Sequence, residues 1–351
     1  MTKVTKTTPL LNQFIMILAF GLLFDIGLYA QETTANNASQ YSLESETNLF
    51  NPREPEELIR GTELPLMNAR FSPDGEHIAF TGPNHFGLWV ADYSPLDSLK
   101  VQNIRKITNV QAGFDYKWSL DGEWILSTHH IFKDRKKMSA LQLYGLEEGT
   151  HARLSDYSTG YQGAPEWLGF QKSALIMSRN GLVRAETGVE LPERLKPAIP
   201  NDLEKLVIIN EQITRINDRA EILETLNPFE DEEAKILNLR YSPDGKKVVF
   251  ELYGEGLYIM NADGEQLRYL GKAYRADWSP DSRYIVAMVT EDNGYAFTKS
   301  DLVVYAADEM VSYPITEHTP LIALNPHWSP YGDAVIFNDP ETGHIYLMAI
   351  K

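Results

Sequence analysis

The chain has 351 residues, 43% of them hydrophobic, and sets 32 Lys and Arg against 49 Asp and Glu, for a formal net charge of −17. So acidic a surface repels nucleic acid and anionic lipid headgroups, which excludes functions resting on either. Cysteine is absent, which excludes disulfides and lipid attachment through an N-terminal cysteine, so a lipoprotein is not expected.

Residues 1–30 read as a signal peptide: Lys3 and Lys6, then the apolar run FIMILAFGLLF from Phe14, with cleavage after Ala30. The run is too short for the roughly twenty residues that span a bilayer, and Asp25 makes a longer span costly. An uncleaved anchor is the alternative. Cleavage removes Lys3, Lys6 and Asp25, leaving 30 basic and 48 acidic residues on a periplasmic or secreted protein with no stable membrane span. Residues 31–56 are polar and aperiodic and read as a disordered leader that acts as a spacer, with a docking peptide as the alternative.

From residue 57 to 351 the sequence is governed by a repeat of an aromatic residue, a short turn and an apolar strand. Its copies are ARFSPDGEHIAF from Ala69, YKWSLDGEWIL from Tyr116, PEWLGFQKSALIM from Pro165, LRYSPDGKKVVF from Leu239, ADWSPDSRYIVA from Ala276 and PHWSPYGDAVIF from Pro326. A period of this size means a solenoid or a propeller. GLYIMNADGEQLRYL from Gly256 shows the second half of the unit, two alternating runs about an Asp-Gly turn, which is a hairpin signature. Each unit is therefore expected to hold four short strands. Pro presets φ, Asp bonds nearby amides and Gly accepts positive φ, so the Ser-Pro-Asp-Gly tetrads are turn chemistry and their aspartates structural.

A degenerate copy lies between Trp167 and Tyr241. IPNDLEKLVII from Ile199 aligns with YSPDGKKVVF, and QITRINDRAEILETL from Gln212 matches GLYIMNADGEQLRYL in length and apolar positions. The anchors are then Phe71, Trp118, Trp167, Ile199, Tyr241, Trp278 and Trp328. The fold class is all-β, a single β-propeller of seven four-stranded blades, with six plus an insert as the alternative. The last unit ends with its third strand, IYLMAIK, and LIRGTEL from Leu58 is expected to complete it, closing the ring.

The Trp-Ser-Pro-Asp-Gly strand followed by a Leu-Tyr strand resembles the WD40-like repeat of the periplasmic TolB family, over about residues 57 to 351. The chain departs from TolB itself in having only residues 31–56, and no α/β domain, between signal and propeller. Similar repeats occur in prolyl-peptidase propellers and oligogalacturonate lyases. The resemblance implies a non-enzymatic envelope module, acting as a monomer, that binds an envelope protein or a glycan. The alternative is a small metal-dependent propeller enzyme acting on polysaccharide, resembling those lyases, which use a cluster of channel histidines. His327 is at a channel position, while His85, His129, His130 and His318 lie on loops of one face.

In a four-stranded blade the tight turns share one face of the disk, and the longer connections fall on the other, the usual binding surface of a rigid repeat. Those connections include THHIFKDRKKMSA from Thr128, SDYSTGYQGA from Ser155, NPFEDEEAKIL from Asn227, TEDNGYAFTKS from Thr290 and EHTPLIAL from Glu317. His129, His130, Lys133, Arg135, Lys136 and Lys137 concentrate positive charge that suits an acidic glycan or a peptide carboxylate, unless they are only a solvated tip. Tyr157 and Tyr161 either stack on a ligand or pack over the blade edge. Arg70, Lys117, Glu166, Arg240, Asp277 and His327, one residue before each anchor with Ala198 in the degenerate copy, face the channel and either brace the hub or line a ligand funnel. No serine-nucleophile elbow, zinc-protease helix motif, phosphate-binding loop or EF-hand pattern is present. The acidic run Glu230 to Glu233 reads as solvated. No catalytic residue, metal or cofactor is assigned.

Overall fold

The computed structural model describes residues 42–43, 49–61, 64–112, 115–147, 149–198, 204–229 and 234–351. The expected signal at 1–30, most of the 31–56 leader, the Ile199 anchor and Glu230–Glu233 lie outside them.

Two short strands come first, β1 (Ser42–Leu43) and β2 (Glu56–Ile59). Four antiparallel strands follow, β3 (Met67–Phe71), β4 (His77–Thr81), β5 (Phe86–Tyr93) and β6 (Val101–Gln111). The next four are β7 (Lys117–Trp118), β8 (Trp124–Lys133), β9 (Lys136–Gly145) and β10 (His151–Arg153). One pair, Gln111 with His130, joins these two groups into an eight-stranded sheet. Three-stranded sheets are formed by β11 (Tyr161–Leu168), β12 (Ser173–Ser178) and β13 (Gly181–Glu186), and by β14 (Glu204–Ile209), β15 (Gln212–Asn217) and β16 (Ile222–Leu226). Then come β17 (Ile236–Tyr241), β18 (Lys247–Leu252), β19 (Gly256–Asn261) and β20 (Arg268–Gly271), and β21 (Tyr274–Trp278), β22 (Tyr284–Asp292), β23 (Phe297–Ala306) and β24 (Val311–Pro314), whose last strand also pairs with β1. The chain ends with β25 (Leu324–Trp328), β26 (Ala334–Asn338) and β27 (Ile345–Ala349), and β2 is the fourth strand of that sheet.

Turn chemistry sets the first hairpin of each unit. The Ser72 hydroxyl donates to Asp74 at 2.5 Å and accepts the His77 N–H at 2.9 Å, while Asp74 accepts the Glu76 N–H at 3.0 Å. Ser119 with Asp121, Ser242 with Asp244 and Ser279 with Asp281 repeat the arrangement. Each turn brings the anchor opposite the residue seven positions later: Phe71 with Ile78, Trp118 with Ile125, Trp278 with Ile285, Trp328 with Val335. The aspartates of the tetrads are thus spent on the turn.

The core lies between successive sheets rather than inside one. Phe71, Ile78 and Phe80 pack against Ile336, Ile345 and Leu347, and Val249 and Ile259 pack against Trp278, Ile285 and Ala287. At the chain's start, Glu57 pairs with Tyr346 and Ile59 with Ile345, at the place the sequence assigned to the strand near Leu58.

Three expectations differ. Residues ahead of 57 already pack on the propeller: Phe50 is 3% exposed, packed edge-on against Tyr284 and Tyr313, and the Asn51 and Arg53 amides donate to the Ile350 and Ala349 carbonyls. One apolar side chain with two backbone bonds outweighs the polar composition around it. Next, the segment from Thr128, expected as one of the longer connections, is a hairpin that continues β8 and β9 until Lys133 pairs with Lys136. Asp134 and Arg135 have φ of 51° and 63°, the two left-handed residues of a type I′ turn whose twist suits long strands. The segment from Thr290 likewise extends β22 to Asp292 and starts β23 at Phe297.

The third difference is in the degenerate copy, where the described residues form three strands. β15 and β16 match β19 and β20 down to the turn, Asn217 N–H to Glu221 carbonyl in one and Asn261 N–H to Glu265 carbonyl in the other. β14 is therefore the second strand of its unit. Among the described residues none lies inside it.

Candidate functional site

In every inner strand the residue before the anchor points away from it by simple alternation. Arg70, Lys117, Glu166, Arg240, Asp277 and His327 accordingly line one axial cavity of about 1000 Å3. Lys205, on β14, lines it where Ala198 was expected. Its ammonium donates to Glu166 at 3.1 Å and to the Trp167 carbonyl at 3.0 Å.

Each carboxylate here holds two partners. Glu166 takes Lys117 at 2.5 Å besides Lys205. Asp115 is shared by Arg70 and Arg240, and Asp277 accepts the Trp328 amide at 2.9 Å with the His327 ring 3.8 Å away. Burial by itself raises the Asp115 carboxyl, but Arg70, Arg240, Lys117 and Arg275 more than reverse that and hold it far below the usual range. Glu166 is likewise lowered: burial opposes ionisation and the two lysines overcome it. Burial lowers Lys117 and His327 despite their acidic neighbours, and leaves Arg240 raised because Asp115, Asp277 and Glu166 outweigh it. The ring is an interlocked set of charges around an open space, which it lines.

A second polar tier precedes it. Asn68, Asn238, Arg275 and Asn325 all have positive φ, between 52° and 56°, at a register shift in the inner strand. Asn325 donates to Asn338 at 3.0 Å, and the Arg275 amide donates to Glu251 at 2.8 Å. Together with Asp115 these stand three residues before an anchor, a regularity readable in the sequence as N-A-R-F, D-Y-K-W, N-L-R-Y, R-A-D-W and N-P-H-W. Asp115, Lys205 and Arg275 were not among the expected residues. Tracking polarity one alternation further back finds Asp115 and Arg275, whereas Lys205 required the register of β14.

The hairpin residues divide by strand alternation. His129 meets the Tyr144 hydroxyl at 3.0 Å and the Tyr157 ring at 5.9 Å, and Arg153 lies over Tyr157 at 5.3 Å. His130, on the opposite side, meets Ser139 at 2.7 Å and Thr128 at 3.2 Å. Burial and then Lys137 push His130 down to about 4, and burial and then Arg275 push His85 down to about 4. Lys133, Arg135, Lys136 and Lys137 are exposed, next to Phe132, which is 70% exposed. Tyr161 packs against the cluster of Leu126, Leu141 and Trp167, and Ser158 pairs back onto Ser139. His318 faces Glu54. After burial and Lys137, His129 and His85 also lower His130, and among the described residues no group of three or more His, Asp or Glu side chains is placed to hold a metal. Among the described residues no helix is long and apolar enough to cross a membrane.

No family model matches this sequence, and no curated protein matches it. Solved structures do. The β-propeller domain of Cps50 (Swd1) from Myceliophteria thermophila has a TM-score of 0.58 at 14% identity, over 85% of this chain and all of that one. The C-terminal WD40 domain of Sif2 has a TM-score of 0.54 at 12% identity, over 85% of this chain and 98% of that one. The chain has the all-β, WD40-like propeller fold.

Proposed function

We propose that this is an exported, TolB-like propeller of seven blades, closed by β2, that binds an acidic envelope protein or glycan through the face carrying the β8–β9 hairpin. It performs no chemistry of its own. Supporting seven blades are the channel residues, one from each of six inner strands from Arg70 to His327, with Lys205 of β14 in the degenerate unit. Supporting closure is the pairing of β2 with β27.

The observation that carries the binding reading is the hairpin itself. In a chain of net charge −17, Lys133, Arg135, Lys136 and Lys137 gather at the tip of a rigid two-stranded ribbon beside the exposed ring of Phe132. An apolar anchor flanked by cations offers both desolvation and electrostatic steering to an acidic surface. Histidines 129 and 130 are engaged with Tyr144 and Ser139 on opposite sides of the ribbon, so the support for a lyase is weak.

The test is a pull-down from envelope extract by the mature protein, against a variant carrying Phe132→Ser, Lys133→Ser, Lys136→Ser and Lys137→Ser. Loss of a specific partner or acidic glycan, with the melting temperature unchanged, is the expected result. An identical set of captured species would move the binding face elsewhere.

A further inference from the structure

The cavity is not symmetric about the ring. No residue of β4, β8, β18, β22 or β26 lines it, because an inner strand covers each of them. Around the degenerate unit it runs outward, lined by Leu175 and Met177 of β12, Leu182 of β13, and Leu206 and Ile208 of β14. This is the place an inner strand takes in the other units.

The edge of β14 facing that place is defined by its register. Ile209 and Gln212 pair about the two-residue turn Asn210-Glu211, so Val207 and Lys205 bond to β15 and the alternate residues Leu206 and Ile208 turn their N–H and C=O inward. The Leu206 amide donates to the Tyr241 hydroxyl at 2.6 Å, which agrees with that direction. Among the described residues, no hydrogen bond reaches the main chain of Ile208. The space therefore joins a strand edge with unmet bonding capacity to an apolar wall. At its inner end four basic side chains, Arg70, Lys117, Lys205 and Arg240, stand against three carboxylates, Asp115, Glu166 and Asp277.

We infer that a partner polypeptide docks here as an extended strand beside β14, completing the degenerate unit from inside. Its main chain bonds to Ile208 and the Leu206 carbonyl, its alternate apolar side chains lie on Leu175, Met177 and Leu182, and an acidic side chain faces Lys117 and Lys205. Strand addition of this kind draws affinity from main-chain bonds and selectivity from alternate side chains. The excess of cations at the inner end selects acidic over basic segments in a protein whose remaining surface repels acids. The site is separate from the hairpin tip, so it stands whether or not the hairpin binds.

The probe is a fluorescein-labelled synthetic peptide, YRADWSPD, copying residues 274–281, which fill the equivalent place in another unit. Anisotropy titration with the purified full chain is expected to show saturable binding, weakened at least tenfold by Leu182→Glu. Two N-methylated peptides, methylated at alternate residues in opposite phase, separate a strand from nonspecific adhesion. One phase is expected to bind like the parent and the other to lose at least tenfold. Equal loss in both phases, or no saturable binding, overturns the inference. Binding that emerges only when residues 192–203 are replaced by a short flexible linker also overturns it, because the chain's own segment would then be the occupant.

Discussion

Asp115 and Arg240, 125 residues apart, meet at 3.3 Å through an oxygen that Arg70 also takes. The pair links units that share no strand pairing, so a single carboxylate neutralises two guanidiniums from different parts of the ring. Asp115→Asn removes the carboxylate that both guanidiniums share in a buried setting, while Asp277 and Glu166 still act on Arg240, and loss of one partner from a buried pair typically costs about 3–5 kcal/mol. Urea unfolding is expected to show a loss of that order with an unchanged m-value. A loss below about 1 kcal/mol would mean that water solvates the guanidiniums.

Phe50 ties the segment before β2 to the core between the last two sheets. It is buried against Tyr284, Tyr313 and Trp328, and large-to-small changes at such sites cost about 3–5 kcal/mol. Phe50→Ala is expected to lower the melting temperature well below that of the parent, and deletion of residues 57–65 to lower it further, because β2 then no longer pairs with β27. A deletion that melts like the intact protein would contradict ring closure.

The depressed histidines give a pH signature. Both His85 and His130 titrate near 4 in the fold, against about 6.5 when unfolded, so between those values the unfolded chain binds more protons. Their contribution to stability is fully present above about pH 6.5 and is lost as pH falls toward about 4. The melting temperature should therefore decline across that window, and the double variant His85→Gln with His130→Gln should flatten the decline. An unchanged slope would place the titrating groups elsewhere.

Export predicts a new N-terminus at Gln31. Mass spectrometry of the protein recovered from a periplasmic or culture fraction is expected to show it. Replacing Leu28 by Ala should speed processing, since small residues are favoured at that position. A mature chain beginning at Met1 would contradict the signal reading.

Much of the fold was legible because turn chemistry and alternation are local. Ser72-Pro73-Asp74-Gly75 and its copies fix a hairpin register without help from distant residues, and that register places Phe71 inward between sheets and Arg70 on the axis. What escaped was set by long-range fit. Asp134-Arg135 is not an obvious turn pair, and only the continued pairing of β8 with β9 makes it one. Phe50 sits in a polar stretch and gains its place from three aromatic neighbours more than 230 residues away. Lys205 carries no repeat signature and, on a second strand with no described strand inside it, takes the axial place that an inner-strand residue takes in other units.

That exchange has a mechanical consequence. In three units, neighbouring inner strands are tied by an indole N–H given to a carbonyl of the unit before: Trp118 to Arg70, Trp167 to Trp118 and Trp278 to Arg240. At the degenerate unit the tie is an ammonium, Lys205 to the Trp167 carbonyl and Glu166, with the Tyr241 hydroxyl fastening the other side. Indole bonds are indifferent to ionic strength, whereas an ammonium–carboxylate joint is weakened by salt. Among the described residues, the seam beside β14 thus has no indole bond beside its charged joint, and added salt weakens what holds it.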